Sequence, residues 1–556
     1  MFFLIEGQTY CKEDLERVLP GEYSNGGKLD IVGYYYRHNP DGKGEPVFVL
    51  PKVFCGESSD EAKPIHVDFT DDDACERIDN SIMKKWNAKD FNELSCWIYG
   101  ALDRYRERLQ TNKIVNAMQD DTLKCSKNDE SEKTLRDIIV ALDNYYHRNK
   151  DLFVFIYKQT HSGYNKIDWD KTVRKCRPII TNDEPQSVAY ADYVGYKKAM
   201  DNDEQLIVLF LSTLNYLARN GYYDFVVDLP YNLYSANTFD HMVESGQLIT
   251  LLNRIKNNYF SDKLQELWHL LYAFYKREEG MREGVFKDEY LLSSSFDRVF
   301  EDMIDYLISD DDCPKQLLIQ EGGSRIVDHL FLGDSLFGDK QIYYVGDSKY
   351  YSEGNKVDGA DVYKQFDYVK NIVHQTKNSK LSDDNVQNYY DELTCGFNVS
   401  PNFFIRGHVE NKYNMDSLNF VENKENIKQQ RMFPDRLFDR STLWLSEYTI
   451  NIMYVMKVYS KQDEYEKEKT KEIVKHRVRD GLVKQIKKVF NVYKLTPNKN
   501  DDSLKPFYEM FIKHNLYKYN GMLFSPSSDI CDLYFACLKG DDIPAEIKGI
   551  FMIGSV

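Results

Sequence analysis

An acidic and a basic residue stand two positions apart at the end of an apolar run in the middle of the chain. Asp347 and Lys349 follow a run that begins at Gln341, and Gln341 to Asp347 is predicted to be a β-strand. Because side chains alternate across a strand, the carboxylate and the ammonium are expected on the same face. The carboxylate is a ligand for Mg²⁺, and the ammonium can orient an attacking water or stabilise charge on a phosphate.

A magnesium site needs more than one carboxylate, since Mg²⁺ prefers several hard oxygen ligands. Asp328 lies one predicted hairpin upstream of Asp347, so neighbouring strands can bring the two together. Glu301 offers a third carboxylate from a helix predicted over Phe296 to Leu307, whose apolar side is expected to pack on the sheet. We therefore expect three acidic side chains and one ammonium to gather around a divalent cation.

A second helix is predicted after this strand, from Asp361 to His374. Asp361, Gln365 and Tyr368 stand at positions i, i+4 and i+7, which places them on one helical face. That face is expected to cover the metal site and to contact a phosphate or the base of a flipped strand.

Several of these residues also have an interpretation that involves no catalysis. Glu301 has acidic neighbours and fits a solvated helix surface, while Gln365 and Tyr368 fit ordinary helix surface and core. His329, beside Asp328, is a candidate metal ligand, but a lone histidine fits packing or hydrogen bonding at a sheet edge better.

The order of these elements resembles the PD-(D/E)XK nuclease superfamily over about residues 290 to 460: a glutamate on a helix, an aspartate in a strand, Asp-x-Lys on the next strand and Gln-x-x-Tyr on the next helix. Val327 stands where the superfamily usually has a proline. One residue fewer separates Gln365 from Tyr368 than in the commonest RecB-like form. The wider chain is similar to restriction subunits of the LlaJI and McrC type in four segments, residues 48–54, 167–173, 347–351 and 361–365.

The resemblance implies a site and a reaction. Asp328 and Asp347 would bind the metal together with the carbonyl of Ser348, and Glu301 would bind it directly or through water. Lys349 would position the hydrolytic water, and Gln365 would complete the catalytic set. The implied reaction is Mg²⁺-dependent hydrolysis of a DNA phosphodiester, leaving a 5′-phosphate, with Mn²⁺ as a substitute metal. The subfamily likeness implies restriction or anti-phage defence and a separately encoded AAA+ GTPase or ATPase partner.

A basic segment near the C-terminal end is the best candidate for a DNA track. Lys475 to Lys494 contains a single acidic residue, Asp480, and an apolar stripe that can dock the segment while its basic side faces phosphate. An ordinary solvated helix face fits the same pattern. The predicted nucleic-acid contacts are Lys475, Arg477, Arg479, Lys484, Lys487, Lys488 and, from the helix after the strand, Tyr368.

The composition limits the class of protein. The chain has 556 residues and a net charge of −17, which argues against indiscriminate binding to nucleic acid or to anionic membranes. Its ten cysteines contain no CxxC pair, so neither a zinc site nor a disulfide framework is indicated, and reduced thiols in a cytosol are expected. No apolar stretch approaches the roughly 18 residues that a membrane span requires, so no membrane partner is expected.

The predicted organisation has four parts. An α+β region over residues 1–175 recognises DNA or docks a partner, a helical region follows over 176–285, the nuclease domain covers 286–460, and a mainly helical region covers 461–556. The nuclease domain is expected to be α/β, a mixed sheet flanked by helices. Its predicted strands are Leu317 to Gln320, Arg325 to Phe331, Gln341 to Asp347, Phe403 to Val409 and Tyr448 to Tyr459.

Three functional hypotheses remain open from the sequence. The first is a cytoplasmic nuclease subunit that works with a motor partner. The second is a stand-alone Type II restriction enzyme, and under either hypothesis a homodimer remains open. The third is a catalytically silent nuclease fold that serves as a DNA-binding or assembly module.

Overall fold

The computed structural model describes most of the chain in separate stretches. They are residues 1–20, 24–25, 27–36, 45–56, 62–67, 80–111, 123–125, 134–153, 155–160, 167–180, 188–199, 205–219, 231–259, 261–282, 288–310, 317, 327–352, 354–378, 386, 389–410, 412–424, 427–499 and 502–555.

The N-terminal part is built on a six-stranded sheet whose strand order is β6-β1-β5-β4-β12-β7. Its central strands are buried on both faces, because alternate residues pack into two different cores. On β1, Phe3 and Ile5 enter the main core, and Leu4 enters a smaller core under the first helix. The strands are β1 (Phe2–Ile5), β4 (Val32–Tyr36), β5 (Pro46–Leu50), β6 (Ile65–His66), β7 (Leu123–Cys125) and β12 (Glu289–Ser293).

Helices and three two-stranded sheets make up the rest of the described N-terminal part. Several helices begin at a side chain that caps the first turn: at α2, Asn87 and Asp90 satisfy each other's backbone N–H groups. The helices are α1 (Lys12–Val18), α2 (Ala88–Gln110), α3 (Leu135–Arg148), α4 (Trp169–Lys175), α5 (Gln205–Arg219), α6 (Ala236–Glu244), α7 (Gln247–Ile255) and α8 (Asp262–Arg282). The paired strands are β2 (Ser24–Asn25) with β3 (Lys28–Leu29), β8 (Phe155–Thr160) with β11 (Val194–Ala199), and β9 (Pro178–Ile180) with β10 (Val188–Tyr190).

A second, mixed sheet forms the centre of the molecule and confirms the α/β class. Its order is β13-β14-β15-β18-β16, and β17 also pairs with β18. The β13–β14 hairpin is antiparallel, whereas β14, β15 and β18 run parallel. The strands are β13 (His329–Asp334), β14 (Gln341–Lys349), β15 (Asn402–His408), β16 (Val421–Glu422), β17 (Lys428–Gln430) and β18 (Leu443–Asn451).

Four helices flank the central sheet. They are α9 (Phe296–Ile308), α10 (Gly359–Asn378), α11 (Ile452–Lys461) and α12 (Glu464–Val489). α10 connects β14 to the parallel strand β15, as a crossover helix does. The strand predicted over Tyr448 to Tyr459 is wrong in its second half: the side chain of Asn451 accepts a hydrogen bond from the Met453 N–H and begins α11.

Two predicted strands fall wholly or partly on residues without a description. For Leu317 to Gln320, only Leu317 lies within the described residues, and for Arg325 to Phe331 the description begins at Val327. The described part of the second prediction forms a strand from His329, which extends to Asp334.

The C-terminal part contains a sheet that the prediction of a mainly helical region did not include. Its order is β20-β21-β19-β22, all antiparallel, and it has a core of its own. The elements are β19 (Phe490–Pro497), α13 (Lys505–Tyr519), β20 (Leu523–Phe524), β21 (Leu533–Leu538), α14 (Ala545–Ile550) and β22 (Phe551–Ser555).

The first three predicted domains share one hydrophobic core. The largest cluster of buried side chains runs from Met1 to Val478, and β12, at the start of the predicted nuclease domain, pairs with β4 of the N-terminal sheet. Arg108 on α2 donates to the buried carboxylate of Asp302 on α9 at 2.8 and 2.9 Å, and Tyr459 on α11 donates to the same group. The boundaries predicted near 175, 285 and 460 therefore do not separate independent cores. Among the described helices, none combines the length and the apolar character that crossing a membrane requires.

Candidate active site

The pairing of β13 with β14 brings the first two predicted carboxylates together. His329 lies opposite Gly346 in the antiparallel register, so Asp328, one residue earlier, faces Asp347, one residue later. Residues opposite each other in an antiparallel pair point to the same side, with Cβ atoms about 4.5–5.5 Å apart. The two carboxyl groups lie within hydrogen-bonding range of each other. The predicted convergence of Asp328 and Asp347 is therefore confirmed.

This face of the central sheet, which carries Val345, Asp347 and Lys349, is here called the front face. The opposite side, which carries Tyr344, Gly346 and Ser348, is the back face. The parallel register continues the front face onto β15, where Asn402 pairs with Val345 and Arg406 pairs with Lys349.

The aspartate pair lies largely inside the protein. Asp347 has 2% of its surface exposed, while Asp328 is surrounded by protein but keeps partial exposure. Burial raises the pKa of Asp328 well above its usual range, and the negative charges of Asp347 and Glu301 raise it further. Without a cation, Asp328 therefore holds a proton at pH values where an exposed aspartate is ionised.

Lys349 is fixed between two carboxylates on the front face. Its Nζ lies 2.8 Å from Asp347 Oδ2 and 3.4 Å from Asp361 Oδ1. Burial by itself lowers the pKa of Lys349, but the attraction of Asp347 and then of Asp361 outweighs it, and the net shift is upward. The Tyr351 hydroxyl donates to Asp361 Oδ2 at 2.7 Å. The ammonium is thus charged and held in one place, as a group that orients water must be.

The third predicted carboxylate, Glu301, lies within electrostatic reach of the aspartate pair. Burial raises the pKa of Glu301 to about 7, with Asp297 and Asp347 adding to the rise and His329 and Lys349 opposing it. This half-buried position differs from the solvated helix surface considered as the alternative. The next residue on α9, Asp302, has a structural role in the ion pair with Arg108.

His329 packs and forms hydrogen bonds at the edge of the sheet, as predicted. It is fully buried, and its Nε2 lies 2.6 Å from Ser348 Oγ on the back face. Its Nδ1 lies 3.5 Å from the Asp305 carboxylate of α9. The histidine therefore joins α9 to the hairpin. The backbone N–H of Ser348 in turn donates to Asp328 Oδ2 at 3.3 Å.

Gln365 faces the sheet, and its hydrogen bonds go to the strands β14 and β15. It is 1% exposed, and its Nε2 donates to Asn402 Oδ1 at 2.8 Å and to the Val345 carbonyl at 3.5 Å. Its Oε1 is buried without a hydrogen bond to any described residue. These contacts fix α10 over the front face. A direct catalytic part for Gln365 stays a prediction.

Two residues of α10 next to the site have contacts that the sequence did not indicate. The Lys364 ammonium lies 5.4 Å from the centre of the Tyr368 ring and is hydrogen-bonded to its hydroxyl. Burial lowers the pKa of Lys364, but Tyr368, Asp347 and Asp328 raise it, and the net shift is upward. Tyr368 is 1% exposed, so the base contact predicted for it is not available in this arrangement, and it fits the core interpretation.

The neighbouring strands add a second ion pair on the front face. Arg406 of β15 lies 3.1 Å from Glu447 of β18, and its guanidinium stands 5.7 Å from the centre of the Tyr351 ring. Its Nε is buried and has no hydrogen bond within the described part of the chain. Sequence reasoning missed Arg406 and Lys364 because an isolated cation in a chain with 29% charged residues gives no signal. The contact between Lys364 and Tyr368 could have been found from the sequence, since the two residues stand at i and i+4 on one helix.

The predicted DNA track lies behind the sheet, away from the carboxylates. Its apolar stripe docks α12 as expected, but Gln485 donates to Ser446 Oγ at 2.9 Å, and Ser446 points to the back face. Arg477 donates to the Phe420 carbonyl, and Arg479 to the Ser335 carbonyl at 3.5 Å. Lys475 pairs with a glutamate of its own helix, Glu472, at 3.4 Å. Four of the predicted contacts are exposed residues, Arg477, Lys484, Lys487 and Lys488.

The donor set at the front face has the chemistry that a hard divalent cation requires. The oxygen atom Oδ2 of Asp347 is buried without a hydrogen bond, although Lys349 stands at ion-pair distance. A cation bound between two carboxylates in contact, with a third in electrostatic reach, relieves their mutual repulsion and supplies the charge that these oxygen ligands prefer. As they stand, no three His, Cys, Asp or Glu side chains among the described residues converge closely enough to surround a metal ion. The residues therefore fit a magnesium site with two close ligands, and Glu301 is the third candidate.

The chain was compared with protein-family models, with curated proteins and with solved structures, and no match was found in any of the three.

Proposed function

We propose that the chain is a Mg²⁺-dependent DNA endonuclease with a PD-(D/E)XK core. One observation carries the proposal: Asp328 faces Asp347 across a buried antiparallel pair, with Lys349 on the same face and Glu301 in electrostatic reach. Two carboxylates in contact inside a protein repel each other, so one of them takes up a proton unless a cation lies between them. This arrangement therefore supports a binding site better than a structural role.

In this proposal Asp328, Asp347 and the Ser348 carbonyl would hold the cation, and Glu301 would bind it directly or through water. When bound, the cation would supply positive charge at the scissile phosphate and lower the pKa of a water molecule. Lys349 stays protonated, so it donates hydrogen bonds to the attacking water and does not take its proton. Asp361 keeps the ammonium in position.

We further propose that the chain is the nuclease subunit of a restriction or anti-phage system and works with a separate AAA+ GTPase or ATPase. The support is the sequence likeness to LlaJI and McrC type subunits. One of the segments that carries the likeness, residues 48–54, contacts the catalytic strand: the Lys52 N–H donates to the Tyr350 hydroxyl at 2.9 Å. Tyr350 follows Lys349 directly, so the N-terminal region is connected to the site.

The test is cleavage of plasmid DNA by the purified chain with Mg²⁺, with and without EDTA. Asp347→Ala is expected to reduce cleavage at least a hundredfold, because it removes the carboxylate that contacts both Asp328 and Lys349. The matched control is Asp334→Ala, an exposed aspartate at the other end of the same hairpin, which should cleave like the wild type. Cleavage that survives in Asp347→Ala refutes the site.

The same assay separates the alternatives. If the chain cuts a defined DNA site with no nucleotide added, it is a stand-alone Type II enzyme and the motor-partner proposal fails. The third hypothesis, a silent nuclease fold, is favoured by one observation: the Lys349 ammonium already stands 2.8 Å from Asp347 Oδ2, where a cation would bind. Wild-type chain that binds DNA but never cleaves it, with or without nucleotide and partner, supports that hypothesis.

A further inference from the structure

Three basic side chains lie around the candidate active site, and they differ in how their charge is compensated. Lys349 is paired with Asp347 and Asp361, and Arg406 is paired with Glu447. Lys364, by contrast, contacts the ring and the hydroxyl of Tyr368. A tyrosine hydroxyl orients an ammonium without neutralising it, so Lys364 keeps a full positive charge for a ligand.

The placement of Lys364 is fixed by its helix. α10 is held against the front face by the hydrogen bond from Gln365 to Asn402 and by the ion pair between Asp361 and Lys349. Lys364 stands three residues after Asp361 and four before Tyr368, on the side of the helix that carries both. It is exposed, while Tyr368 beneath it is buried. The ammonium therefore lies at the solvent side of the site.

We propose that Lys364 binds a backbone phosphate of the DNA substrate, next to the scissile bond, with Tyr368 as the positioning residue that aims its ammonium. This inference rests on the proposed nuclease function and names Lys364 as a group that binds the negatively charged DNA backbone. It also replaces the predicted DNA track on α12, which lies on the back face. The influence of Asp328 and Asp347 on the pKa of Lys364 agrees with this location.

The test is DNA binding without cleavage, measured by fluorescence anisotropy of a labelled duplex oligonucleotide in EDTA over a series of salt concentrations. A protein loses about 0.9 units in the slope of log Kobs against log salt for each phosphate contact removed. We expect Lys364→Gln to lower that slope by about one and to weaken binding about eightfold at 0.1 M salt, for every DNA sequence alike. Lys364→Arg is expected to restore most of the binding.

The matched control is Lys370→Gln on the same helix. Lys370 lies away from Lys364 and contacts Gln430 at 3.4 Å, so this variant should bind DNA with the wild-type slope. If Lys364→Gln also keeps the wild-type slope, while Asp347→Ala abolishes cleavage, the inference is wrong and the nuclease function stands. If the wild-type chain neither binds nor cuts DNA, both fail. A slope that falls equally in both lysine variants shows a nonspecific charge effect and also overturns the inference.

Discussion

At the scale of single residues, the candidate site concentrates groups that are unfavourable for folding. Asp328 faces Asp347 inside the protein, Glu301 adds a third carboxyl group, and Lys349 is paired with Asp347. Proteins tolerate such arrangements at functional sites, where stability is given up for ligand binding. The raised pKa values of Asp328 and Glu301 measure this cost.

The pKa of Glu301 leads to a prediction about stability and pH. The folded-state pKa of about 7 lies above the ordinary value of 4.5, so the folded protein holds a proton that the unfolded chain loses in this range. Stability should therefore fall as pH rises from about 4.5 to about 7. In EDTA, Glu301→Gln should match the wild type near pH 4.5 and exceed it by about 1–2 kcal/mol at pH 8, after allowance for solvent screening.

Urea denaturation at the two pH values measures this difference. Asp297→Asn on the same helix is a useful companion, since it removes a charge that raises the pKa of Glu301 and should give a smaller gain. A Glu301→Gln variant that is no more stable than the wild type at pH 8 would show that Glu301 is solvated and not part of the site.

At the scale of elements, the site depends on how α9 is held. Its Glu301 side chain lies within electrostatic reach of the aspartate pair, while Asp302 is bonded to α2 by Arg108 and to α11 by Tyr459. His329 adds a contact from the hairpin to Asp305. The helix that supplies the third carboxylate is therefore fixed by the N-terminal region as well as by the sheet.

Breaking this buried ion pair should destabilise the whole molecule. Arg108→Ala leaves the Asp302 carboxylate buried and unpaired, and such a change costs about 3–5 kcal/mol. Arg148→Ala is the control, because its pair with Glu266 is exposed and 3.6 Å long, and its loss should cost under about 1 kcal/mol. Equal effects of the two variants in denaturant unfolding would contradict the assigned role of Arg108.

At the scale of the whole molecule, sequence patterns predicted what depends on local order. The apolar run that begins at Gln341, with an acid and a base at i and i+2 at its end, predicted the strand and the face that carries Asp347 and Lys349. Contacts between segments that are distant in the chain could not be predicted from the sequence. β12 pairs with β4, so Glu289 lies opposite Tyr36, and no local pattern indicates a pairing across 250 intervening residues or so.

Two further predictions failed around the helix α12. β19 was not predicted, because the basic segment defined as Lys475 to Lys494 runs into it, and its pairing with β21 and β22 decides its structure. The DNA track was placed by its basic charge and its apolar stripe. Charge shows which face of α12 is polar. The surface on which the apolar stripe packs decides where that polar face lies, and here α12 packs behind the sheet, away from the carboxylates.

The central claim is that Asp328 and Asp347 bind one divalent cation together. Because burial and the neighbouring carboxylates raise the pKa of Asp328, cation binding must release a proton wherever the metal-free protein holds one on this group. The most direct measurement is titration calorimetry with Mn²⁺ in two buffers of different ionisation enthalpy, for the wild type, Asp328→Asn and Asp347→Asn. We predict binding with proton release in the wild type and a loss of at least tenfold in affinity in each variant. Wild-type affinity in either variant would contradict the shared site.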